Sequence, residues 1–503
     1  MLSLLDLYYD FLKAKGMTEP RSGIIKTLEH IENGHDVILK APTGYGKTTL
    51  TEILAMAVTQ DKNDIASRVI HILPLRAIVQ DLYKKIAEDD AKVLKITRGQ
   101  VGAQDMDYHD SPIFMKKVNI TTLDTFTLNL FKLPIAEFDK IFKNYGSHYE
   151  FPRAMIYSSI VLFDEFHLLG EEGKSLTAGL ATIEALKEAN IPMVVMSATI
   201  DDGLIKFLKD ILNDVSIVEV TDYNINRKVN VNFIDNEDEI FGVVEKKIKE
   251  GKRVLITYNT RTKAIEAYYR LKEMGFSALL IHSKFNKNDR KEKIEKIRTG
   301  EARLVISTQV IEAGIDTSFD VLITEEAPSH NLIQRSGRVA RYGGEGDIYI
   351  FPLTEKSKTI YDWEEVEMTT KLIEKERRID EKVLLSRNYQ IDKKLFSNLK
   401  LIEGSIFANS KKAKKLYESI CTLTRETGIV LGFPPRKVDV QYAVPLTNDE
   451  ALQVLKKNNN AFVGNSDHIN IRLSNHCLQL EFLRHNIQGV MISGYDSEVG
   501  AIL

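Results

Sequence analysis

At about 150 residues per domain, the 503 residues suffice for two to four domains. Lysine and arginine number 68 against 71 aspartate and glutamate, a net charge of −3, with 43% hydrophobic residues. This is the composition of a folded protein with ample core; it excludes a histone-like binder working through bulk positive field, though not a local basic groove. Two cysteines, Cys421 and Cys477, cannot build a disulfide framework, and they lie too far apart to suggest a metal site. No run approaches the roughly 18 apolar residues of a membrane span. The opening MLSLLDLYYDFLKAKG carries Asp6 and Asp10 where a secretory signal would be basic. A cytoplasmic, multidomain protein with no membrane partner is expected.

In chain order, short Val/Ile/Leu-rich runs alternate with helical patterns through the first 350 or so residues. The runs are Asp36–Lys40, Val69–Leu73, Ile160–Phe163, Met193–Met196, Val254–Thr257, Ala278–His282, Leu304–Thr308 and Val321–Thr324. Their length and β-branched content suit strands buried on both faces of a parallel sheet. Amphipathic stretches such as Thr262–Met274 and Arg290–Arg298 lie between them, so the fold class is α/β with doubly wound parallel sheets. Two such series are expected, 1–222 and 223–355, joined by a polar linker, Thr221–Lys228. After Pro352 the texture changes: a charged helix-like stretch (Ser357–Arg378), a lysine cluster (Lys411, Lys412, Lys414, Lys415) and a β portion (Gly432–Leu446) make up a third, accessory region, 356–503.

Ala41-PTGYGKT sits directly after the first run and before a helix-like stretch from Thr48. Strand, glycine loop and helix is the context of a phosphate-binding loop. Gly44 and Gly46 let successive N–H groups turn toward phosphate, the helix N-terminus adds partial positive charge, Lys47 reaches the β- and γ-phosphates, and Thr48 can ligate Mg²⁺. Thr43 and Thr49 complete the expected contact set. Asp164 and Glu165, 117 residues after Lys47, end the Ile160 run, where α/β sheets bind ligands. Asp164 would hold Mg²⁺ through water and Glu165 would orient and deprotonate the attacking water. Ser197 and Thr199, after the Met193 run, are expected to relay nucleotide state. In Gln334-RSGRVAR, Arg338 and Arg341 stand three apart, on one face of an expected helix, where guanidinium groups can stabilise γ-phosphate charge.

The phosphate loop, DEFH (164–167), SAT (197–199) and QRSGRVAR (334–341), in this order, resemble a superfamily 2 helicase over about 1–350. The resemblance implies two tandem RecA-like domains that bind ATP and Mg²⁺ and step along a single strand. A finer match lies in Tyr258-NTRTKAIEAYYRL, Leu280-IHSKFNKNDR and Ser307-TQVIEAGIDTSFDV: these strings resemble the CRISPR-associated helicase Cas3 family. That resemblance implies an ATP-dependent 3′-to-5′ single-stranded DNA translocase recruited by an RNA-guided, Cascade-like CRISPR effector complex in antiviral defence. Thr308, Glu312, Gly314 and Asp316 would then couple strand contact to nucleotide, Gln334 would belong to the hydrolytic set, and Pro74, Arg76, Thr121, Thr122 and Asn259 would join Thr308 on the strand.

Two departures stand out. About 40 residues precede the phosphate loop, too few for the HD nuclease domain that opens typical Cas3, and His35-Asp36 and His109-Asp110 lack partners at metal-site spacing. The resemblance therefore points to the stand-alone helicase half, with an HD nuclease on a separate chain. Ile24 stands about 23 residues before Lys47, where many such helicases carry an adenine-reading glutamine, which opens the site to other nucleotides. Tyr83, Tyr108 and Phe126 are candidates to stack on bases, though core burial is the commoner fate, and the Lys411–Lys415 cluster is a candidate for phosphate contact. A general repair or RNA helicase is the alternative enzyme, and a non-catalytic scaffold is disfavoured by the retained Lys47, Asp164, Glu165, Arg338 and Arg341.

Overall fold

The expected runs become strands. The computed structural model describes the chain except residues 1–2, 43, 75, 106–108, 133, 135–149, 172, 199, 222–225, 313–314, 316, 359, 380–390, 404–428, 458–461, 465–477, 479–481, 483–484 and 486. By its internal contacts it divides into two units, Met1–Asn224 with Ser386–Thr427, and Ile225–Leu385 with Gly428–Leu503.

The first unit is built on seven strands: β1 (Asp36–Lys40), β2 (Arg68–Leu73), β3 (Val101–Gln104), β4 (Val118–Thr122), β5 (Ser159–Phe163), β6 (Met193–Ser197) and β7 (Val215–Glu219). All pair in parallel, in the order β3-β4-β2-β5-β6-β1-β7. β1 and β5 are almost entirely buried, as strands covered by helices on both faces must be. The N-terminal helix Leu4–Lys15 starts on a Ser3–Asp6 capping box and stops at Gly16, whose φ of 67° lies in the left-handed region that favours glycine. Its Leu4, Leu7, Tyr8, Phe11 and Leu12 fall at helical spacing and join the core with the phosphate-loop helix Thr48–Thr59.

The second unit holds a six-stranded sheet of β8 (Arg227–Phe233), β9 (Val254–Thr257), β10 (Ala278–Ile281), β11 (Leu304–Ser307), β12 (Val321–Glu325) and β13 (Gly344–Phe351), also all parallel, ordered β10-β11-β9-β12-β13-β8. The two doubly wound parallel sheets are as the sequence predicts. Arg227 and Lys228, expected in the linker, already begin β8, an edge strand whose alternating, half-exposed side chains lack the signature of a buried run.

The region after 356 is not one domain. Helix Lys393–Glu403 belongs to the first unit: the Asp392 N–H donates to Thr177 Oγ1 at 3.0 Å, and Lys400 pairs with Glu184 and Glu188 of helix Gly173–Glu188. Helix Trp363–Glu376 belongs to the second unit, as does a small sheet of β14 (Val430–Phe433), β15 (Val444–Leu446), β16 (Phe462–Gly464) and β17 (Ile487–Met491), followed by the hairpin β18 (Gly494–Asp496)–β19 (Gly500–Ile502). The lysine cluster 411–415, Cys421 and Cys477 lie outside the described residues. Among the described residues no helix is long and apolar enough to cross a membrane.

Candidate functional site

β1 places the phosphate loop. Lys40 is in register with Ser197 of β6, and the Ala41 N–H continues that ladder to the Ser197 carbonyl at 3.1 Å. Gly44 and Gly46 have φ of 84° and 85°, in the left-handed region that side chains avoid, so the chain can fold back before the helix starts at Thr48. Lys47, 7% exposed, donates to the Ala41 carbonyl at 3.2 Å and lies 3.4 Å from Glu165 Oε1. Thr48 and Thr49 are half-buried in the first turn, while Thr43 lies outside the described residues.

Asp164 and Glu165 follow β5. The Asp164 N–H donates to the Ile72 carbonyl at 2.9 Å, its Oδ1 accepts the Glu165 N–H at 2.9 Å, and its Oδ2 lies 3.6 Å from His71 Nε2. Burial pushes its carboxyl upward, but the His71 ring, Lys47 and the Glu165 N–H together outweigh that and hold it below the usual carboxylate range. Glu165 has φ of 49°, a backbone state costing about 1–3 kcal/mol for a non-glycine residue. Its Oε1 faces Lys47 and its Oε2 lies 3.4 Å from His167 Nδ1, which in turn bonds Ser197 Oγ at 2.8 Å. The ends of β1, β5 and β6 thus bring Lys47, Glu165, His167 and Ser197 into one line. Thr199 lies outside the described residues.

Sequence reading missed three participants. His71 and Thr51, both fully buried, are linked by a 2.6 Å hydrogen bond; the only signal was a histidine inside the apolar run VIHIL. Arg21 lies over the Tyr45 ring and against the loop, so near that a Cβ on Gly46 would fall 2.0 Å from its Nη1. Ile24, in the position of the missing glutamine, is a core residue.

Several candidates for strand contact are placed otherwise. Thr121 donates to the Gln104 carbonyl at 2.6 Å, and Thr122 caps helix Leu123–Leu130; both hydroxyls are buried. Pro74 is half-buried, and the Arg76 side chain lies outside the described residues. Phe126 is fully buried between Phe114 and Phe163, and Tyr83 is buried in the same unit, so neither is a base-stacking platform: apolar burial claimed both. Tyr108 lies outside the described residues. Asp36 bonds the Met193 N–H at 3.1 Å and Lys187 at 2.8 Å, a structural role. His109 is exposed, and among the described residues no three His, Cys, Asp or Glu side chains group to hold a metal.

In the second unit Arg335, fully buried, donates to Glu312 Oε1 (2.7 Å), Thr324 Oγ1 (2.9 Å), the Glu325 carbonyl (3.1 Å) and Asn259 Oδ1 (2.8 Å). Asn259 also donates to the Glu326 carbonyl at 2.8 Å; its buried side chain is spent inside the unit, not turned to a strand. Thr308, buried, precedes the short turn Gln309–Ile311, and Gly314 and Asp316 lie outside the described residues. Arg338 and Arg341 do not share a helix face. The helix Ser329–Ser336 ends first, because Phe319 exchanges backbone bonds with Arg338 and Ala340 (2.8 and 2.9 Å) and draws the chain into a parallel bridge. Arg338 donates to the carbonyls of Ile311 (3.0 Å) and Glu312 (2.6 Å), while Gln334 and Arg341 are half-buried.

The string Leu280-IHSKFNKNDR receives the C-terminal sheet and hairpin. Lys284 is held by Glu450 and the Pro445 carbonyl (2.8 Å), His282 Nε2 bonds the Val499 carbonyl at 3.1 Å, and Tyr495 donates to Asp289 at 2.6 Å. A Cβ on Gly500 would lie 2.6 Å from the Lys284 carbonyl, so only glycine fits there.

Residues 24–207 match the DEAD/DEAH box helicase family, and residues 250–344 match the C-terminal part of the CRISPR-associated nuclease/helicase Cas3. The CRISPR-associated helicase Cas3 of Thermoproteus tenax is 27% identical over 65% of this chain and 57% of its own length. The CRISPR-associated nuclease/helicase Cas3 of Methanothermobacter thermautotrophicus is 26% identical over 78% and 49%. This chain thus spans about half the length of these relatives. The T. fusca Cas3–AMPPNP structure shares the fold, with a TM-score of 0.68 at 13% identity over 98% of this chain and 71% of that one. The DNA-bound DUF1998 helicase MrfA has a TM-score of 0.65 at 13% identity, over 92% and 70%. With parallel sheets in both units, the chain thus resembles DEAD/DEAH box helicases over 24–207 and the C-terminal part of Cas3 over 250–344.

Proposed function

We propose that this chain is an ATP-driven, 3′-to-5′ single-stranded DNA translocase of CRISPR interference, unwinding target DNA for an HD nuclease on a separate polypeptide. The line from Lys47 through Glu165 and His167 to Ser197 carries the reading, because it joins a phosphate-binding cation, a base for water and a relay at adjacent strand ends. The partners would be single-stranded DNA and a Cascade-like effector, as the match to Cas3 within 250–344 suggests.

On nucleotide binding, Lys47 leaves the Ala41 carbonyl for the β- and γ-phosphates, and the N–H groups around Gly44 and Gly46 hold the phosphate oxygens, with Thr43 and Thr49 beside them. Thr48 and an ionised Asp164 are hard oxygen donors that suit Mg²⁺, which when bound draws charge from the phosphate oxygens. Glu165 orients the attacking water and takes its proton. Arg338 and Arg341, with Gln334, steady the γ-phosphate charge, and Gly314 and Asp316 complete the nucleotide contacts from the second unit. Ser197 and Thr199 pass nucleotide state to strand contacts near Pro74, Arg76 and Thr308, where backbone groups take over from the buried side chains of Thr121, Thr122 and Asn259.

A second reading, a general repair or RNA helicase, draws on 26% identity to the ATP-dependent helicase Lhr-Core of Methanocaldococcus jannaschii. ATP hydrolysis measured with no nucleic acid, single-stranded DNA, single-stranded RNA and duplex DNA separates the two, with a divalent-metal nuclease assay alongside. Stimulation by single-stranded DNA without cleavage is the expected result. Stimulation by RNA alone would transfer the protein to the second reading, and intrinsic cleavage would refute the separate nuclease.

A further inference from the structure

His71 lies in the middle of β2, wholly enclosed, between the phosphate-loop helix and Asp164. Its Nδ1 is 2.6 Å from Thr51 Oγ1, on the phosphate-loop helix one turn beyond Thr48. Its Nε2 is 3.6 Å from Asp164 Oδ2 and has no hydrogen bond of its own. A bare nitrogen lone pair against a carboxylate oxygen would be repulsive, so the proton belongs on Nε2. Thr51 then donates its hydroxyl to Nδ1, which selects that tautomer and pins the ring plane.

We infer that His71 is a positioning residue for the nucleotide's divalent cation: it fixes the Asp164 carboxylate relative to Thr48 through the chain Thr51–His71–Asp164. This rests on the assignment of Thr48 and Asp164 as the metal-holding pair. Held by the Glu165 N–H on Oδ1 at 2.9 Å and faced by the His71 Nε2–H across 3.6 Å at Oδ2, the carboxylate is confined from both sides in its orientation toward Thr48.

The test is Mn²⁺ binding to the full chain with AMPPNP, followed by electron paramagnetic resonance. Beside it, AMPPNP affinity is measured in EDTA. His71→Phe keeps the volume and removes both nitrogens; Mn²⁺ affinity should fall about tenfold or more while affinity in EDTA holds. His71→Gln, whose amide N–H reaches toward the Nε2 position, should recover most of the loss. Thr51→Val should shift Mn²⁺ affinity in the same direction as His71→Phe, and it carries the test should His71→Phe not fold. Unchanged Mn²⁺ affinity in His71→Phe or, should that variant not fold, in Thr51→Val, or an equal loss of affinity in EDTA, would overturn the positioning role alone. A wild-type chain that binds neither AMPPNP nor Mn²⁺ would overturn the nucleotide-site reading and this inference with it.

Discussion

Arg335 donates from Nε to Glu312 Oε1 at 2.7 Å, and both side chains are buried. The first arginine of QRSGRVAR is therefore a tie within its unit, joining the helix Ser329–Ser336 to the turn after β11 and, through Asn259, to the end of β9. Arg335→Met leaves the Glu312 carboxylate buried without its cation, and such a broken pair costs about 3–5 kcal/mol. The denaturation midpoint of the second unit should drop accordingly. Arg335→Met with Glu312→Leu should recover a good part of the loss, because no charge is then left unmatched. A double variant as unstable as the single one would show that the bonds to Thr324 and Asn259 matter more than the ion pair.

Lys47→Ala should abolish ATP turnover while leaving single-strand affinity within about threefold, since among the described residues its ammonium bonds the Ala41 carbonyl and pairs with Glu165. Arg338→Ala should lower kcat by about 10²-fold or more with a smaller change in KM, as expected of charge needed at the transition state. Steady-state kinetics on both variants checks this. An equal loss in nucleotide affinity for Arg338→Ala would assign that side chain to the Ile311 and Glu312 carbonyls it already binds.

Burial, with nearby Arg261, Lys293 and Lys284, drives the His282 ring down to about 3, against the donation it makes to the Val499 carbonyl. A histidine with its folded value below the ordinary 6.5 supports folding fully above pH 6.5, and that support drains away as pH falls toward 3. The hairpin β18–β19 should therefore loosen on acidification. Hydrogen exchange across residues 494–502 should speed up between pH 6.5 and 4 in the wild type, and more weakly in His282→Gln after correction for intrinsic exchange.

Glu52, on the phosphate-loop helix, behaves in the opposite sense. Burial raises its carboxyl to about 7, and Lys85 only partly counters it. An acid whose folded value exceeds the ordinary 4.5 supports folding below pH 4.5, and that support is lost as pH climbs through 4.5 to 7. Glu52→Gln should flatten this part of the profile, so the difference in Tm between variant and wild type should grow from pH 5 to pH 8. A constant difference would mean that the Lys85 pair keeps Glu52 charged throughout.

The phosphate loop and the acidic pair were legible because their chemistry is local. Gly44 and Gly46 must adopt positive φ, Lys47 must start a helix, and Asp164 must end a strand, all of which neighbouring residues dictate. The eight apolar runs were legible because strands buried on both faces need them. β3, β4, β7, β8 and β13 were not: β7 and β8 are half-exposed edge strands that mix polar and apolar residues as loops do, while β3, β4 and β13 set Gly, Gln, Asn, Thr or Asp among their apolar residues.

By itself, then, the sequence determined the α/β class, the two parallel sheets and the order of the nucleotide motifs, because backbone sterics and burial act over a few residues. Tertiary structure alone decided which polar side chains are spent inside the fold. Thr121, Asn259 and Arg335 all sit in motif strings, yet each is enclosed and bonded by groups distant in sequence, such as Gln104 for Thr121 and Glu312 for Arg335. Likewise, only packing brought His71 between Thr51 and Asp164, and only the final hairpin and the C-terminal sheet region gave His282 and Lys284 their partners. A buried polar group must be satisfied wherever a partner can reach it, and that reach is a property of the fold.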